Sequence, residues 1–348
     1  MDGGLMAEKI TSLDVARRAG VSQSAVSRVF TPGASVSKKT IQKVRKAAKA
    51  LGYRPNILAR AVVSGKSHII GLVVAYLENY FYPEALEKLS NALQREGYHV
   101  LVFLTSQKHR KIDDVVDEML DYQVDGIVFA SVPMSADIAE RCQNAGVPVV
   151  QFNRYEDRKG IASVTSENFD GGRTVAEFLL AGEHGRIAYI AGWEGASTQR
   201  DREAGFLEGL NSANRDLFAR EVGNFDFDQA RTAARAMFGV PAHRRPDALF
   251  VANDHMAFVA MDVIRHELGL SIPGDLSVVG FDDVPPAAWL SYNLTTVRQR
   301  AKLMVEETVR ALLAQIESID TAITRNIAVE APLIVRGSAR IPEGWTDK

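Results

Sequence analysis

The stretch VSQSAVSRVF, residues 21–30, places three polar side chains with complementary hydrogen-bonding chemistry in one short segment: Gln23, Ser24 and Arg28. A glutamine amide can form two hydrogen bonds with adenine, an arginine guanidinium can form two with guanine, and a serine hydroxyl can bond to several bases. These residue types at this spacing suit the reading of base edges in the major groove of DNA.

Two short helices around a tight turn would present these side chains on one face. Thr11 or Ser12 can cap a first helix that Gly20 ends, and Ser22 can cap a second helix. A third helix begins after Ser37. The inward positions, at helical spacing, are Leu13, Val15, Ala16, Ala19, Ala25, Val26, Val29, Ile41, Val44, Ala48 and Leu51. The sequence therefore predicts a three-helix helix-turn-helix domain.

Charge is distributed unevenly along the chain. Residues 1–66 contain 13 lysines and arginines and three acidic residues, a net charge of +10, whereas the remaining residues carry 28 basic and 40 acidic side chains, a net charge of −12. A basic segment of this kind suits a polyanionic partner. On charge alone, a solvated basic face without a partner is an equally good interpretation.

The rest of the sequence alternates short apolar runs with amphipathic stretches. Seven runs have the character of buried strands, at residues 68–76, 99–106, 126–132, 148–153, 186–192, 248–254 and 276–283. This alternation predicts parallel sheets that are covered by helices on both faces. The number of such units is sufficient for two sheets, and so for a bilobed body with a cleft between the lobes.

Polar and aromatic side chains follow several of these strands, where ligands of open parallel sheets bind. Thr198 and Arg202 are four residues apart and would share one helix face. Arg202 and Asp282 can form charge-assisted hydrogen bonds with hydroxyl or carboxylate groups, and aromatic rings can stack on a ligand ring. The candidates after the strands are Asn79, Tyr80, Phe81, Tyr82, Trp193, Ser197, Thr198, Arg202, Asn253, Asp254, Asp282 and Asp283.

Some of these residues also have a purely structural interpretation. Phe81, and Phe225 in the stretch GNFDF, are typical core residues. Asn253 can cap the helix that follows it. Trp193 either adds stacking area to the cleft or covers its loop, and the sequence leaves both interpretations open.

Composition and motifs exclude several classes of protein. The only cysteine, Cys142, permits no internal disulfide, and the histidines lack metal-ligand spacing, so we expect no metal and no cofactor. Neither a catalytic triad nor a dinucleotide-binding motif is present, so we expect no enzyme. There is no apolar run of roughly 18 residues and no signal-peptide core, which favours a cytoplasmic location.

The run from Thr11 to Gly71, and nearly all of the chain after it, resembles the LacI/GalR (lactose-repressor-like) family of bacterial transcription regulators. The motifs are SLDVARRAGVSQSAVSRVF, VSKKTIQKVRKAAKALGYRPN and ILARAVVSGKSHIIGLVV. The resemblance implies an N-terminal helix-turn-helix head and an α/β body of the periplasmic-binding-protein type, with two doubly wound parallel-sheet lobes. It also implies domain boundaries: a head at 1–55, a hinge helix and linker at 56–66, and a body at 67–348. One lobe would comprise about 67–167 and 291–327, and the other about 168–290 and 328–340.

For the head, the resemblance assigns base reading to Gln23, Ser24 and Arg28. Helix capping is the alternative role for Ser22 and Ser37. The residues expected near DNA phosphates are Thr11, Ser22, Ser27, Thr31, Ser37, Lys39, Thr40, Tyr53 and Asn56.

The hinge departs from the family pattern. Family members insert a leucine into the minor groove from a position that Val62 occupies here, while Leu58 lies one helical turn earlier. Valine is a shorter wedge, so either the DNA kink is milder or the wedge is supplied differently. Arg60 is either a minor-groove or phosphate contact or a solvated charge.

For the body, the resemblance implies a cleft that binds a small polar effector, such as a sugar or sugar derivative. The implied contacts are Tyr80, Phe81, Thr198, Arg202, Phe225, Asn253 and Asp282. The expected protein is a homodimeric repressor that binds a palindromic operator in double-stranded DNA and does not act at a membrane. A solute-binding module without a regulatory role is the alternative, and the basic head favours the regulator.

Overall fold

The computed structural model describes residues 10–31, 34–54, 66–105, 112–156, 161–317 and 326–345. The chain divides into two compact units, Met1–His68 and Ile69–Lys348, which we call the head and the body. The predicted hinge residues Asn56, Leu58, Arg60 and Val62 lie outside the described residues. None of the helices in the described ranges is long and apolar enough to cross a membrane.

The described residues of the head form three helices: α1 (Ser12–Ala19), α2 (Gln23–Val29) and α3 (Lys38–Leu51). Thr11 caps α1 in a reciprocal arrangement with Asp14, and Gly20 ends this helix with a φ of 63°. Residues from all three helices fill a small core: Val15, Ala16, Val26, Val44, Ala47 and Ala48. Leu13 was predicted to face inward but is 43% exposed, because α1 packs through Val15 and Ala16 instead.

The body contains two six-stranded sheets within the described residues. Up to the first connection between the sheets, its elements are β1 (Ile69–Val74), α4 (Phe81–Arg95), β2 (His99–Leu104), α5 (Ile112–Asp121), β3 (Gly126–Ala130), α6 (Ala136–Asn144), β4 (Val149–Phe152) and β5 (Ala162–Ser166). The elements that follow are α7 (Asn168–Ala181), β6 (Ile187–Ala191), α8 (Ser197–Ser212), β7 (Ala219–Val222), α9 (Phe227–Phe238), β8 (Ala248–Val251), α10 (Asp254–Asp262), β9 (Ser277–Asp282), β10 (Thr295–Arg298), α11 (Ala301–Glu317), β11 (Asn326–Val329) and β12 (Leu333–Ile334).

The strands run parallel within each sheet, except for the antiparallel pair of β10 and β12. The first sheet has the order β11-β5-β4-β3-β1-β2, and the second has the order β12-β10-β9-β8-β6-β7. The strands β1, β3, β6, β8 and β9 are buried along their whole length. This burial agrees with sheets that are covered on both faces.

Over the described ranges, the chain passes between the two sheets three times. The first crossing follows β5 near residue 168, where it was predicted. The second crossing was predicted near 290 but lies after Arg298, because β10 pairs in parallel with β9 and so keeps residues 295–298 in the second sheet. The third lies between Val329 and Leu333, slightly later than the predicted 328, because β11 pairs with β5 over its whole length.

Two glycines allow α7 and α8 to approach closely in the second lobe. A Cβ atom on Gly172 would overlap the carbonyl oxygen of Arg202, and one on Gly205 would overlap the carbonyl oxygen of Phe169. The close packing of α8 on α7 fixes the position of Arg202, a candidate binding residue.

Replacing Gly205 with alanine should therefore destabilise the body. We expect Gly205→Ala to lower the free energy of unfolding by about 1–3 kcal/mol, because the added methyl group forces the two helices apart. Urea unfolding of the full chain measures this loss. Gly185→Ala is the matched control, because a Cβ there would meet its nearest neighbour at an ordinary 3.5 Å. Equal midpoints for the two variants would contradict the packing account.

Candidate functional site

The second helix of the head exposes the three predicted base-reading side chains. Gln23, Ser24 and Arg28 are all solvent-exposed on α2, while Val26 is fully buried. The side-chain amide of Gln23 donates to the hydroxyl of Ser12 at 2.9 Å, which ties the start of α2 to α1. The structure thus brings the three residues together on a polar face, and their role in base reading remains a prediction.

Hydroxyl groups at the helix starts have the capping role that was considered for them. The side chains of Ser22 and Ser37 accept backbone hydrogen bonds from Ala25 and Thr40, each at 3.2 Å. Helix N-termini also attract phosphate groups, so capping does not compete with DNA binding. The predicted phosphate contact Asn56 lies outside the described residues. The other predicted phosphate contacts within the described head are Thr11, Ser27, Thr31, Lys39, Thr40 and Tyr53.

In the body, a small polar cavity lies where strands of both sheets end. Its volume is about 30 Å³, and it adjoins an open cleft of about 1760 Å³. We call these the inner cavity and the outer cleft. The inner cavity is lined by Tyr76, Glu78, Asn79, Tyr82, Asn153, Arg154, Thr198, Arg202, Phe225, Asn253, His255 and Asp282. Because it collects residues from both lobes, a change in their separation would change its size.

Each of the three guanidinium nitrogens of Arg202, which lines this cavity, has a partner. Its Nε donates to the Asn168 side chain at 2.9 Å, its Nη1 donates to the carbonyl of Ala252 at 2.6 Å, and its Nη2 lies 3.4 Å from Oδ1 of Asp282. The guanidinium also lies 3.7 Å from the centre of the Phe281 ring. Burial lowers the pKa of Arg202, and the Asp282 carboxylate opposes this effect.

Asp282 connects the second lobe to the first. Besides Arg202, it accepts hydrogen bonds from the side chains of Asn79 at 3.2 Å and Gln299 at 2.7 Å. Asn79 follows β1 of the first sheet, whereas Asp282 ends β9 of the second. Burial raises the pKa of Asp282, while the positive charge of Arg202 acts in the opposite direction. The hydrogen bonds from these donors are therefore what stabilises the ionised form of Asp282 in its buried position.

Tyr155 provides a second connection between the lobes. Its backbone N–H donates to the Ser197 hydroxyl and its own hydroxyl donates to Oδ1 of Asp201, both at 3.0 Å. Tyr155 follows β4 of the first sheet, and its two partners lie on α8. The lobes are thus held around the inner cavity by bonds that separation would break.

Residues at the start of α10 line the inner cavity. Asn253 accepts a hydrogen bond from the backbone N–H of Met256 at 3.0 Å, which confirms its capping role, and it also lines the cavity. The ring of His255 stacks on Phe227 with 3.7 Å between centres. Burial lowers the pKa of His255 to about 4, so this imidazole is neutral at pH 7.

The structure adds Arg154, which the sequence analysis missed. Arg154 follows β4 closely, and its side chain lines the inner cavity, with its Nε and Nη1 buried and without hydrogen-bond partners among the described residues. The Trp193 ring lies 5.5 Å from this guanidinium. The sequence signal for Arg154 is its position directly after the strand predicted at 148–153, where ligand-binding groups of parallel sheets lie.

Two predicted cavity residues lie elsewhere. Tyr80 is 50% exposed, and Phe81 is buried against Phe152 with 6.0 Å between ring centres. Because α4 begins at Phe81, this ring enters the core, as its structural interpretation proposed, and the flanking Asn79 and Tyr82 reach the cavity instead. Tyr80 and Phe81, which were predicted as effector contacts, therefore do not line the inner cavity. The predicted residues that do line the inner cavity are Thr198, Arg202, Phe225, Asn253 and Asp282.

Comparison with known families and proteins agrees with both units. Residues 11–56 match the model described as bacterial regulatory proteins, lacI family, and residues 176–339 match a periplasmic binding protein-like domain. The ribose operon repressor of Halalkalibacterium halodurans is 31% identical and aligns with 88% of this chain and 90% of its own length. The sucrose operon repressor of Streptococcus mutans is 31% identical, with coverages of 91% and 95%.

A solved structure extends the similarity to the whole fold. The lac repressor dimer bound to operator and the anti-inducer ONPF superposes with a TM-score of 0.84 at 28% identity, covering 95% of this chain and 99% of that one. This chain therefore belongs to the lacI family of bacterial regulatory proteins. It is a DNA-binding transcription regulator and not an enzyme, and the predicted fold class is confirmed.

The buried carboxyl of Asp254 generates a pH prediction. Burial and the neighbouring charge of Asp282 raise the pKa of Asp254 to about 8, while its partners are Thr296 and the backbone of Val284. A carboxyl with a raised pKa in the folded state makes the fold less stable as pH rises from about 4 to about 8. Asp254→Asn removes this term, so its stability relative to the parent chain should increase between pH 5 and pH 8.

One pKa unit corresponds to about 1.4 kcal/mol, and the change in relative stability between these pH values should exceed that amount. Urea unfolding midpoints at the two pH values measure the effect. The exposed Asp216→Asn is the matched control. A relative stability that does not change with pH would show that Asp254 is ionised in the folded chain at both values.

Proposed function

We propose that this chain is a homodimeric transcriptional repressor whose two heads read a palindromic operator and whose cleft binds a small polar effector, a sugar or sugar derivative. The observation that carries the proposal is the exposed row of Gln23, Ser24 and Arg28 on α2, in a chain whose body encloses a polar cavity between two lobes. The effector would control the affinity for the operator.

Pairing of two heads follows from the small number of base contacts that one head offers. Two heads on a two-fold axis read successive half-sites and so multiply specificity. The lac repressor similarity, which includes a dimer on its operator, supports this arrangement. Lysines and hydroxyl groups around α2 and α3, such as Lys39 and Thr40, would contact phosphates and set the position of α2 in the major groove.

A sugar-like effector fits the chemistry of the cleft. Arg202, Asp282 and Asn253 provide charged and amide groups suited to hydroxyls, and Phe225 provides a half-buried ring for stacking. The names of the ribose and sucrose operon repressors support this class of ligand. The inner cavity of about 30 Å³ corresponds to roughly one water molecule, so a sugar requires the lobes to separate or to use the outer cleft.

Control would operate through a shift between two arrangements of the lobes. The bonds from Asn79 to Asp282 and from Tyr155 to α8 stabilise the closed arrangement. A ligand that binds one arrangement more tightly shifts the population towards it, by no more than the difference in affinity. The arrangement would then determine how well two heads fit adjacent half-sites.

The base-reading role is tested by comparing two head variants on an operator obtained by selection. Arg28→Ala should reduce discrimination at one base pair by about 1–3 kcal/mol, because it removes a contact to a base edge. Lys39→Ala should instead weaken binding to all sequences alike, because a phosphate contact carries no sequence information. Fluorescence anisotropy with single-base operator variants measures both. Unchanged discrimination in Arg28→Ala would remove this residue from the reading face.

The effector role is tested at Arg202. Arg202→Ala should bind the operator but lose the response to effector, since the cavity then lacks its central donor. Because this change leaves Asp282 buried without its ion-pair partner, Thr198→Ala provides a milder variant from the same helix face. Operator titrations with and without effector measure the response, and Arg231→Ala on the surface of α9 is the control. A normal response in both cavity variants would place the effector elsewhere.

A further inference from the structure

We propose that the effector of this chain carries a compact anionic group, a carboxylate or a phosphate, and that Arg154 binds that group. The inference rests on the proposed function, because it concerns the ligand of the same cleft. It adds the charge of the ligand and a binding residue outside the set predicted from the sequence.

Arg154 is a buried cation with unused hydrogen-bond donors. Its exposed fraction is 7%, and its Nε and Nη1 have no partner among the described residues. Buried polar groups in folded proteins nearly always have partners, and a buried charge is costly without them. Arg154 lines the inner cavity, so a ligand that enters when the lobes separate can supply the acceptors that these two nitrogens lack.

Aromatic rings surround the Arg154 guanidinium without using these donors. Its central carbon lies 5.5 Å from the ring centre of Tyr76, 5.5 Å from that of Trp193 and 6.0 Å from that of Phe225. Ring faces at this distance stabilise the cation and restrict its position. The unpartnered Nε–H and Nη1–H groups can each donate a charge-assisted hydrogen bond to an oxygen of a carboxylate or phosphate.

The other charged groups of the cavity are already engaged or lie at its rim. Arg202 is bonded to Asn168, Ala252 and Asp282, and Asp282 is bonded in addition to Asn79 and Gln299. Glu78 lines the cavity as an exposed residue. The positive charge with unused donors is therefore that of Arg154.

Asn153, next to Arg154, indicates what adjoins the anionic group. Its Nδ2 donates to the Tyr82 hydroxyl at 2.9 Å, but its buried Oδ1 has no partner within the described structure. An unpartnered acceptor on a residue that lines the same cavity as Arg154 suits a ligand hydroxyl near an acidic group. Hydroxylated acids and phosphorylated sugars both have this arrangement, and experiment must distinguish them.

The test uses matched neutral and acidic ligands on the full-length chain. The probes are D-glucose, D-glucuronate and D-glucose 6-phosphate, then D-galactose and D-galacturonate, and finally a small-molecule extract of bacterial cells whose retained compounds are identified by mass spectrometry. Thermal transitions detect binding, and calorimetry gives affinities for the parent chain, Arg154→Gln, Arg154→Lys and the surface control Arg231→Gln.

We expect compounds that carry a carboxylate or phosphate to bind more tightly than their neutral counterparts. Comparison of D-glucuronate with D-glucose 6-phosphate then identifies which of the two groups is preferred. Arg154→Gln should reduce that affinity about 10- to 100-fold, as expected for lost charge-assisted hydrogen bonds, and Arg154→Lys should recover only part of it. Arg231→Gln should bind as the parent chain does.

Two results would overturn the inference while leaving effector control intact: a neutral compound that binds as tightly as its acidic counterpart, or an Arg154→Gln variant that keeps full affinity for an acidic ligand. If no compound of the panel or the extract binds the parent chain, effector control itself is contradicted, and this inference falls with it.

Discussion

A buried pair of opposite charges, Arg202 and Asp282, organises the body of this protein. Two ions so far from water are stable only when their remaining donors and acceptors are also satisfied. Asn168 and the carbonyl of Ala252 satisfy the guanidinium, while Asn79 and Gln299 satisfy the carboxylate. These partners belong to both lobes and to the segment that crosses between them. The hydrogen bonds of this ion pair therefore constrain the distance between the lobes, and with it the geometry of the cleft.

That constraint gives the cleft its sensitivity to a ligand. Moving the lobes apart breaks the bond from Asn79 to Asp282, and a polar ligand can replace it with its own hydroxyl groups. Arg154 is in a different state, because aromatic rings enclose it and its Nε and Nη1 have no hydrogen-bond partner among the described residues. One arginine holds the site together and the other is available to a ligand. The acidic body and the basic head are thus specialised for small-molecule binding and DNA binding, respectively.

The pattern of apolar side chains along the chain determined how much of the fold could be predicted from the sequence. The head, the alternating body and seven strands were predicted because their apolar periodicity is strong. The additional strands β5, β7, β10, β11 and β12 are short and partly polar, as in ASVTS and AREV, and tertiary pairing rather than local pattern defines them. The second lobe crossing was misplaced because β10 was not predicted.

Side-chain direction limited the prediction of the cleft in the same way. Thr198 and Arg202 line the inner cavity together because four-residue spacing on a helix places them on one face, and their role in effector binding stays a prediction. Tyr80 and Phe81 do not line it, because a shift of one residue in the start of α4 exchanges the positions that face the core with those that face the cavity. Arg154 carries no local signal except its place after a strand.

The central claim is that this chain reads a specific DNA sequence through α2, and selection of bound duplexes from fragmented genomic DNA tests it most directly. Purified full-length protein would be used at low and at near-physiological salt, because non-specific phosphate contacts weaken steeply as salt rises. The account predicts recovery of a palindromic site that persists at the higher salt. Recovery of sequence-independent fragments that disappear at the higher salt would contradict it.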